Sequence, residues 1–201
     1  SEFIATVIEK DGKKLVINNK KEADEHLKNL EKAEYTIQKI TQKELRRYPY
    51  PPFTTSTLQQ AAVHKLGYSA KKTMMLAQAL YERGLITYMR TDSVNLSHLA
   101  ISSVRAYIGN FIGKPYLPKS PRIFKSKSKN VQEAHEAIRV TDVREKGEGL
   151  KEKDLNRDHI RLYELIWKRF VSCQMSEVVL DQTIVDVIAS PSTALGVNAA
   201  K

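Results

Sequence analysis

The sequence predicts an α+β fold that is mainly α, with a helical region inserted into a β region. Segments with strand-like alternation lie near both ends of the chain, and segments with helical periodicity occupy the middle. A third observation marks the junction, because three prolines fall within residues 48–52 and each ring restricts its own backbone and that of the preceding residue. We therefore expect strands, then helices, then a return to strands.

The N-terminal part of the chain is predicted to hold the first β segments. Residues 3–17 form a hairpin, because apolar runs flank Asp11 and Gly12, a dipeptide typical of tight turns. Residues 21–33 carry apolar side chains at helical spacing, and residues 35–40 alternate as a strand. These elements precede the proline-rich junction.

Two helices are predicted directly after the junction. Ser56 caps the first helix, with Gln59 three residues later completing a capping box, and Gly67 ends it. Ser69 caps the second helix, which ends at Gly84. Two helices joined by a Gly-containing turn and followed by a strand indicate a winged helix-turn-helix core.

The remaining elements follow from helical periodicity, strand alternation and loop composition. In chain order they are a helix over 97–108, a loop over 113–130, a short helix over 131–138, a second loop over 144–153, a long helix over 156–174 and a strand over 178–188.

Residues 84–93 are predicted to leave the second helix as a short strand. Side chains alternate along a strand, so Tyr88 and Arg90 project from the same side. A phenol can attack phosphorus, and a guanidinium can hold phosphate oxygens. A Tyr in an apolar strand is more often a core residue, so the pair alone does not decide the function. Asp92 follows on the same alternation and could either orient Arg90 or cap the next turn.

The segment from Gly84 to Ser93 closely resembles the active-site segment of type IA DNA topoisomerases. Further blocks resemble the same family and follow its order along the chain, which chance matches do not. They are residues 51–60, 71–82, 132–139 and 165–175.

The resemblance implies a catalytic role for Tyr88 and Arg90. Tyr88 would attack a phosphodiester of single-stranded DNA and form a 5′-phosphotyrosine bond, and Arg90 would contact the phosphate near the scissile bond. His135 would approach the DNA phosphate or the tyrosine. Arg139, one helical turn further on, could face the same phosphate or pair with Glu136. Because the phosphotyrosine bond preserves the energy of the broken link, no ATP is required.

Three more side chains are candidate DNA contacts from their chemistry. The hydroxyl of Thr54 can donate a hydrogen bond to DNA. Lys71 and Lys72 can contact phosphates from the start of the second helix.

The resemblance also implies a domain organisation. Residues 1–50 would be part of a β arch, residues 51–174 a helical domain carrying the active-site tyrosine, and residues 175–201 a return to the arch with a flexible tail. Whole enzymes bind Mg²⁺ through an acidic domain with an Asp-x-Asp motif, which this sequence lacks. We therefore expect a fragment that binds no metal, is inactive alone, and works with the missing domains of the same polypeptide.

Composition restricts the class of protein. The chain has 33 basic and 23 acidic residues, and its net charge of +10 favours polyanionic partners, although runs of charge are usually solvated faces. No segment approaches the ~20 apolar residues of a membrane span, so we expect no membrane partner. A single Cys, Cys173, excludes an intramolecular disulfide and a Cys-cluster zinc site. We expect single-stranded or negatively supercoiled DNA as the substrate, in the cytoplasm of a bacterium at the nucleoid.

The main alternative is a non-enzymatic winged-helix DNA-binding module. The net charge and the helix-turn-helix-strand order favour it. Its recognition helix would begin at Ala70–Thr73, where the lysines can contact phosphates but offer little base readout.

Overall fold

The computed structural model describes residues 4–10, 12–124, 135–146, 150 and 155–191. The chain divides into two compact units, one of residues 1–45 with 181–201 and one of residues 46–180. Helices and strands are both present, so the predicted mixture of α and β structure is confirmed.

The first unit begins with the predicted hairpin, but its strands are short. β1 (Glu9–Lys10) pairs antiparallel with β2 (Lys13–Lys14), and Glu9 lies opposite Lys14. Asp11, predicted in the turn, lies outside the described residues. The apolar side chains that flank the hairpin are largely exposed, so they bury no face that would hold longer strands.

A helix and a long strand follow in the first unit. Helix α1 (Lys20–Glu31) is capped by Asn19, whose side chain accepts from the Glu22 amide at 2.9 Å. Strand β3 (Ala33–Arg47) is much longer than the predicted 35–40 and forms a two-stranded sheet with β4 (Val178–Pro191). The second half of β3 is mostly polar, so its sequence lacks the apolar alternation that predicts a strand. Pairing with β4 satisfies the backbone hydrogen bonds of β3, and a distant partner cannot be read from local alternation.

The second unit is helical. Its helices are α2 (Thr55–Leu66), α3 (Ala70–Glu82), α4 (His98–Tyr107) and α5 (Arg157–Cys173), with a π-helical turn over Ile108–Ile112 and a 3₁₀ turn over Lys114–Tyr116. They pack around one core, whose largest fully buried side chains include Tyr163, Phe53, Phe170, Leu58, Leu76, Leu80 and Ile138. The α3, α4 and α5 segments lie where the sequence predicted helices.

The cap of α2 is Thr54, so the prediction of Ser56 and Gln59 was wrong. The Thr54 hydroxyl accepts from the Thr57 amide at 3.3 Å, and the Thr57 hydroxyl accepts from the Thr54 amide at 2.9 Å. Four adjacent hydroxyl residues can each cap a helix, and local sequence does not choose among them. The predicted cap of α3 is confirmed, because the Ser69 hydroxyl accepts from the Lys72 amide at 3.2 Å.

The two short elements predicted around the candidate residues are not regular structure. Residues 84–93 form no strand, and only Ile86 makes an isolated bridge, with Val140. Residues 135–138 are not helical, because the Ile138 amide donates to the carbonyl of Phe53 at 2.8 Å instead of to its own preceding turn. Residues 131–134, the start of that predicted helix, lie outside the described part of the chain.

Within the described residues, no helix is both long enough and apolar enough to cross a membrane.

Candidate active site

Exposed and buried side chains alternate from Tyr88 to Ser93. Tyr88 is 47% exposed, and Arg90 and Asp92 are exposed, whereas the three residues between and after them are buried. Tyr88 and Arg90 are therefore both exposed with a buried residue between them, as the alternation predicted, although residues 84–93 form no strand. The exposure of Tyr88 argues against the core interpretation of this residue.

Thr87 joins this segment to the one that carries His135. The Thr87 hydroxyl donates to the Ala137 carbonyl at 2.7 Å, and it accepts from the Arg139 amide at 3.0 Å. The Thr87 amide also donates to the Arg139 carbonyl at 2.9 Å. The two segments, about 50 residues apart in sequence, thus lie side by side.

A cavity of about 360 Å³ lies beside the exposed face of this segment. It is lined by Thr55, Ser56, Gln59, Arg90, Thr91, Asp92 and His135. The structure therefore brings together candidates from two separate segments: Arg90 and Asp92 from residues 84–93, and His135 from the block 132–139. Ser56 could have been a DNA contact from its chemistry but was assigned with Gln59 to a helix cap; both line the cavity and belong to the block 51–60 that resembles the topoisomerase family.

The ionisable side chains of the cavity are unpaired within the part of the chain that the structure describes. Among the described residues, the side chains of Arg90, Asp92 and His135 form no hydrogen bond or ion pair. Asp92 therefore does not hold Arg90, and the next turn is capped by Thr91, whose hydroxyl accepts from the Ser93 amide at 3.1 Å. An unpaired guanidinium in an open cavity is suited to binding an anion.

Tyr88 lies outside the cavity lining and packs against Tyr81. The two ring centroids are 5.2 Å apart in an edge-to-face arrangement with an interplanar angle of 65°. The Tyr88 hydroxyl contacts no base within the described part of the chain. A phenol becomes a good nucleophile only when a base or a positive group acts on it, so this geometry alone does not activate it.

Arg139 pairs with Glu136. Its Nε and Nη2 donate to the two carboxylate oxygens at 2.8 and 2.9 Å, and Nη1 donates to the Val140 carbonyl at 2.9 Å. The sequence left two roles open for Arg139, a phosphate contact and an ion pair with Glu136, and the structure contains the ion pair. Residues 135–139 are not helical, so Arg139 does not lie one helical turn from His135 as the sequence predicted. A phosphate contact for Arg139 stays a prediction.

The remaining candidates lie elsewhere. Thr54 is 9% exposed and its hydroxyl is used in the cap of α2. Lys72 pairs with Asp158 at 2.5 Å. Lys71 and Lys72 stand at the first turn of α3, about 15 Å along the helix from Tyr81, which contacts Tyr88. The structure does not bring these two lysines to the cavity, and their contact with DNA stays a prediction.

Ionisation of Glu136 makes the stability of the folded protein depend on pH. Burial raises the pKa of this carboxyl, but hydrogen bonds from Arg139 and from the Ser97 amide at 2.9 Å outweigh burial and hold the pKa below its usual 4.5. The folded protein therefore binds this proton less tightly than the unfolded chain does. The resulting stabilisation is present above pH 4.5 and is lost as the pH falls through the lowered folded value.

We expect Glu136→Gln to lower the melting temperature near neutral pH, because it removes the charge that Arg139 pairs with. The deficit relative to the wild type should shrink as the pH falls below about 4.5, since the wild type then loses the same charge. Thermal melts across pH 3 to about pH 7 test this. Asp92→Asn is the matched control, because Asp92 has no partner in the described residues; a deficit that is constant with pH would contradict the assignment.

The described residues contain no group of three or more His, Cys, Asp or Glu side chains that could hold a metal ion. The described part of the chain therefore does not fit a metal site.

Comparison with known proteins places these features in a family. A family model described as DNA topoisomerase matches residues 2–197. The DNA topoisomerase 1 of Rickettsia felis is 51% identical over 179 residues, which cover 85% of this chain and 23% of that protein. The DNA topoisomerase 1 of Escherichia coli (strain K12) is 51% identical over 169 residues, covering 84% of this chain and 19% of that protein.

A solved structure agrees with the sequence comparisons. The full-length topoisomerase I from Thermotoga maritima superimposes with a TM-score of 0.65 and is 31% identical. The match covers 96% of this chain and 34% of the Thermotoga chain. The chain thus spans about a quarter of the length of the Rickettsia relative.

Proposed function

The chain belongs to the DNA topoisomerase family, and from this membership we propose that it is the part of a type IA enzyme that cuts and reseals one DNA strand through Tyr88. One observation carries the proposal: an exposed phenol lies two residues from an unpaired guanidinium that shares a cavity with His135. This combines a nucleophile with two groups that can hold a phosphate.

The proposed reaction is a transesterification. The Tyr88 oxygen forms a bond to phosphorus, and the bond from phosphorus to the 3′ oxygen of the preceding nucleotide breaks. The phenolic proton is lost to water, since no described residue offers a base to Tyr88, and the departing 3′ oxygen takes up a proton from water, so no net charge is created. The reverse attack by the 3′-hydroxyl reseals the strand and frees Tyr88.

Arg90 is proposed to stabilise the phosphate during attack. The nonbridging oxygens carry more charge in the transition state than in the diester, and a guanidinium donates two parallel hydrogen bonds to such a group. His135, on the same cavity wall, is proposed to donate to the same phosphate. We propose that these contacts hold the phosphorus for attack by Tyr88.

The whole enzyme is proposed to relax negatively supercoiled DNA. The relatives are much longer than this chain, so strand passage would depend on the rest of the polypeptide. We propose that β3 and β4 belong to a β arch that other sequence completes, and that α2 and α3 form a core like that of a winged helix-turn-helix, but with the predicted wing strand reduced, in the described residues, to one bridge. The use of Mg²⁺ by the whole enzyme stays a prediction.

The non-enzymatic winged-helix module is not favoured. The matched relatives are topoisomerases, and the strand that would form the wing is reduced, in the described residues, to the bridge between Ile86 and Val140. Such a module would form no covalent bond to DNA.

End-labelled oligonucleotides test the proposal. The full-length enzyme is incubated with a single strand labelled at its 3′ end, and the reaction is stopped with detergent. A 5′-phosphotyrosine bond retains the downstream piece, so we expect the 3′ label to migrate with the protein and a 5′ label to be released. Retention of the 5′ label, or of neither label, would refute the proposed chemistry.

Binding of single-stranded DNA by the isolated chain should depend strongly on salt. Contacts between cationic side chains and phosphates release counterions, and about three such contacts reduce affinity roughly 20-fold between about 50 and about 200 mM salt. Fluorescence anisotropy with a labelled oligonucleotide measures this slope. Arg90→Ala should reduce the slope, whereas an affinity that hardly varies with salt would contradict the expected phosphate contacts.

A further inference from the structure

Thr55 makes an unusual set of contacts to the segment that carries Arg90. It is the first residue of α2, where a backbone amide has no acceptor within the helix. That amide donates to the Thr91 carbonyl at 2.9 Å. The Thr55 hydroxyl donates to the Met89 carbonyl at 2.8 Å, with the Thr91 carbonyl as a longer second acceptor at 3.1 Å, and it accepts from the Thr91 amide at 2.9 Å.

These contacts hold both peptide groups that flank Arg90. The Met89 carbonyl belongs to the peptide before Arg90, and the Thr91 amide belongs to the peptide after it. A hydroxyl oxygen can donate one hydrogen bond and accept another, so Thr55 bonds to both peptides through one atom. The φ and ψ angles of Arg90 are therefore restrained, because the peptide on each side is held by a hydrogen bond to Thr55.

The neighbouring side chains support the same geometry. Met89 is 2% exposed and Thr91 is 7% exposed, so both point into the core while Arg90 points outward. In the described residues no β ladder holds positions 88–93, and Thr55 supplies the hydrogen bonds that a neighbouring strand would supply. The Arg90 side chain has no partner of its own there, so its direction depends on its backbone.

We propose that Thr55 is a positioning residue for cleavage, which aims the Arg90 guanidinium at the phosphate through the two flanking peptides. The inference rests on the proposed function of Tyr88 and Arg90. Thr55 also lines the cavity, but the proposed effect acts through the backbone of Arg90. Displacement of a positioned group by about 1 Å can slow a reaction about 100-fold, so this alignment has a measurable consequence.

Thr55→Val in the full-length enzyme removes the hydroxyl and keeps the branched shape. We expect single-turnover cleavage of a labelled oligonucleotide to slow by about 30- to 100-fold, with less than about a 3-fold change in its Kd. Thr55→Ser keeps the hydroxyl and should cleave within about 3-fold of the wild type. A serine variant as slow as the valine variant would overturn the inference.

Thr73→Val is the matched control. Thr73 is fully buried in α3 and its hydroxyl donates to the Ser69 carbonyl at 2.9 Å, so the same chemical change removes one hydrogen bond away from Arg90. We expect normal cleavage from this variant. Equal slowing in Thr73→Val and Thr55→Val would indicate a general loss of structure and overturn the positioning role.

A double-mutant cycle tests whether Thr55 acts through Arg90. Once Arg90→Ala has removed the guanidinium, adding Thr55→Val should slow cleavage by less than about 3-fold more. If the double variant slowed by the product of the two single-variant factors, Thr55 would act independently of Arg90 and the inference would be overturned.

Amide exchange tests the same contacts in the wild type, without relying on a variant that folds. The Thr91 amide donates to Thr55, so it should exchange at least about 100-fold more slowly than an unstructured amide. Rapid exchange at Thr91 would overturn the inference.

The Tyr88→Phe variant, assayed in parallel, separates this inference from the proposed function. If Tyr88→Phe is inactive and Thr55→Val cleaves normally, only the role of Thr55 fails. If Tyr88→Phe forms normal adducts, the proposed function fails and the inference fails with it.

Discussion

Tyr88→Phe in the full-length enzyme is expected to abolish covalent adduct formation, with a loss of at least about 10⁴-fold. The change removes the single oxygen that would bond to phosphorus and keeps the ring. The hydroxyl has no partner among the described residues and the side chain is 47% exposed, so the free energy of unfolding should change by less than about 0.5 kcal/mol. DNA affinity should stay within a few-fold of the wild type.

Tyr81→Phe provides the matched control. Tyr81 packs edge-on against Tyr88, is 40% exposed, and loses the same hydroxyl in this variant. Adduct formation should survive this change. Both variants are assayed by the migration of the 3′ label with the protein, alongside thermal melts. Normal adduct from Tyr88→Phe would refute the assignment of the nucleophile, and loss in both variants would indicate a damaged site.

Arg90→Ala is expected to slow cleavage by about 10²- to 10³-fold while weakening DNA binding only a few-fold. The guanidinium is proposed to act where charge develops during attack, and removal of one such donor usually has an effect of this size. Arg90→Lys should recover part of the rate, because an ammonium supplies the charge without the planar fork of donors. Single-turnover cleavage and anisotropy measure the two effects separately.

Arg83→Ala removes the same charge at a different place. Arg83 is exposed at the end of α3, and its guanidinium donates to the Ala79 carbonyl at 3.2 Å. Its loss should leave the cleavage rate within about 3-fold of the wild type. If Arg90→Ala were fully active, Tyr88 could remain the nucleophile, but Arg90 would have to be regarded as an ordinary surface arginine.

Local patterns predicted the helices of the second unit well. The long helix predicted over 156–174 is observed at Arg157–Cys173, and the cap predicted at Ser69 is the observed one. Helical periodicity and capping involve residues within one or two turns of one another, so they are readable from the sequence. The exposure of Tyr88 and Arg90 was predictable for the same reason, since the alternation of side chains is read from neighbouring residues.

Long-range contacts decided the features that the sequence predicted wrongly. The Thr55 amide and hydroxyl bond to residues 89 and 91, and the cap of α2 falls to Thr54 and not to Ser56. Residues 135–138 are not helical, because the Ile138 amide donates to the carbonyl of Phe53, which lies 85 residues earlier in the chain. No local pattern contains either partner.

The sequence by itself thus determined the family, most of the helices and the candidate residues Tyr88 and Arg90. Only the tertiary structure decided that Arg90 and His135 share a cavity, that Arg139 pairs with Glu136, and that Thr55 holds the backbone around Arg90. The physical reason is the range of the interactions involved. Residue preferences for helices and caps act over one or two turns, whereas the cavity is lined by segments whose hydrogen-bonded partners are about 35 to 85 residues apart and meet only when the core packs.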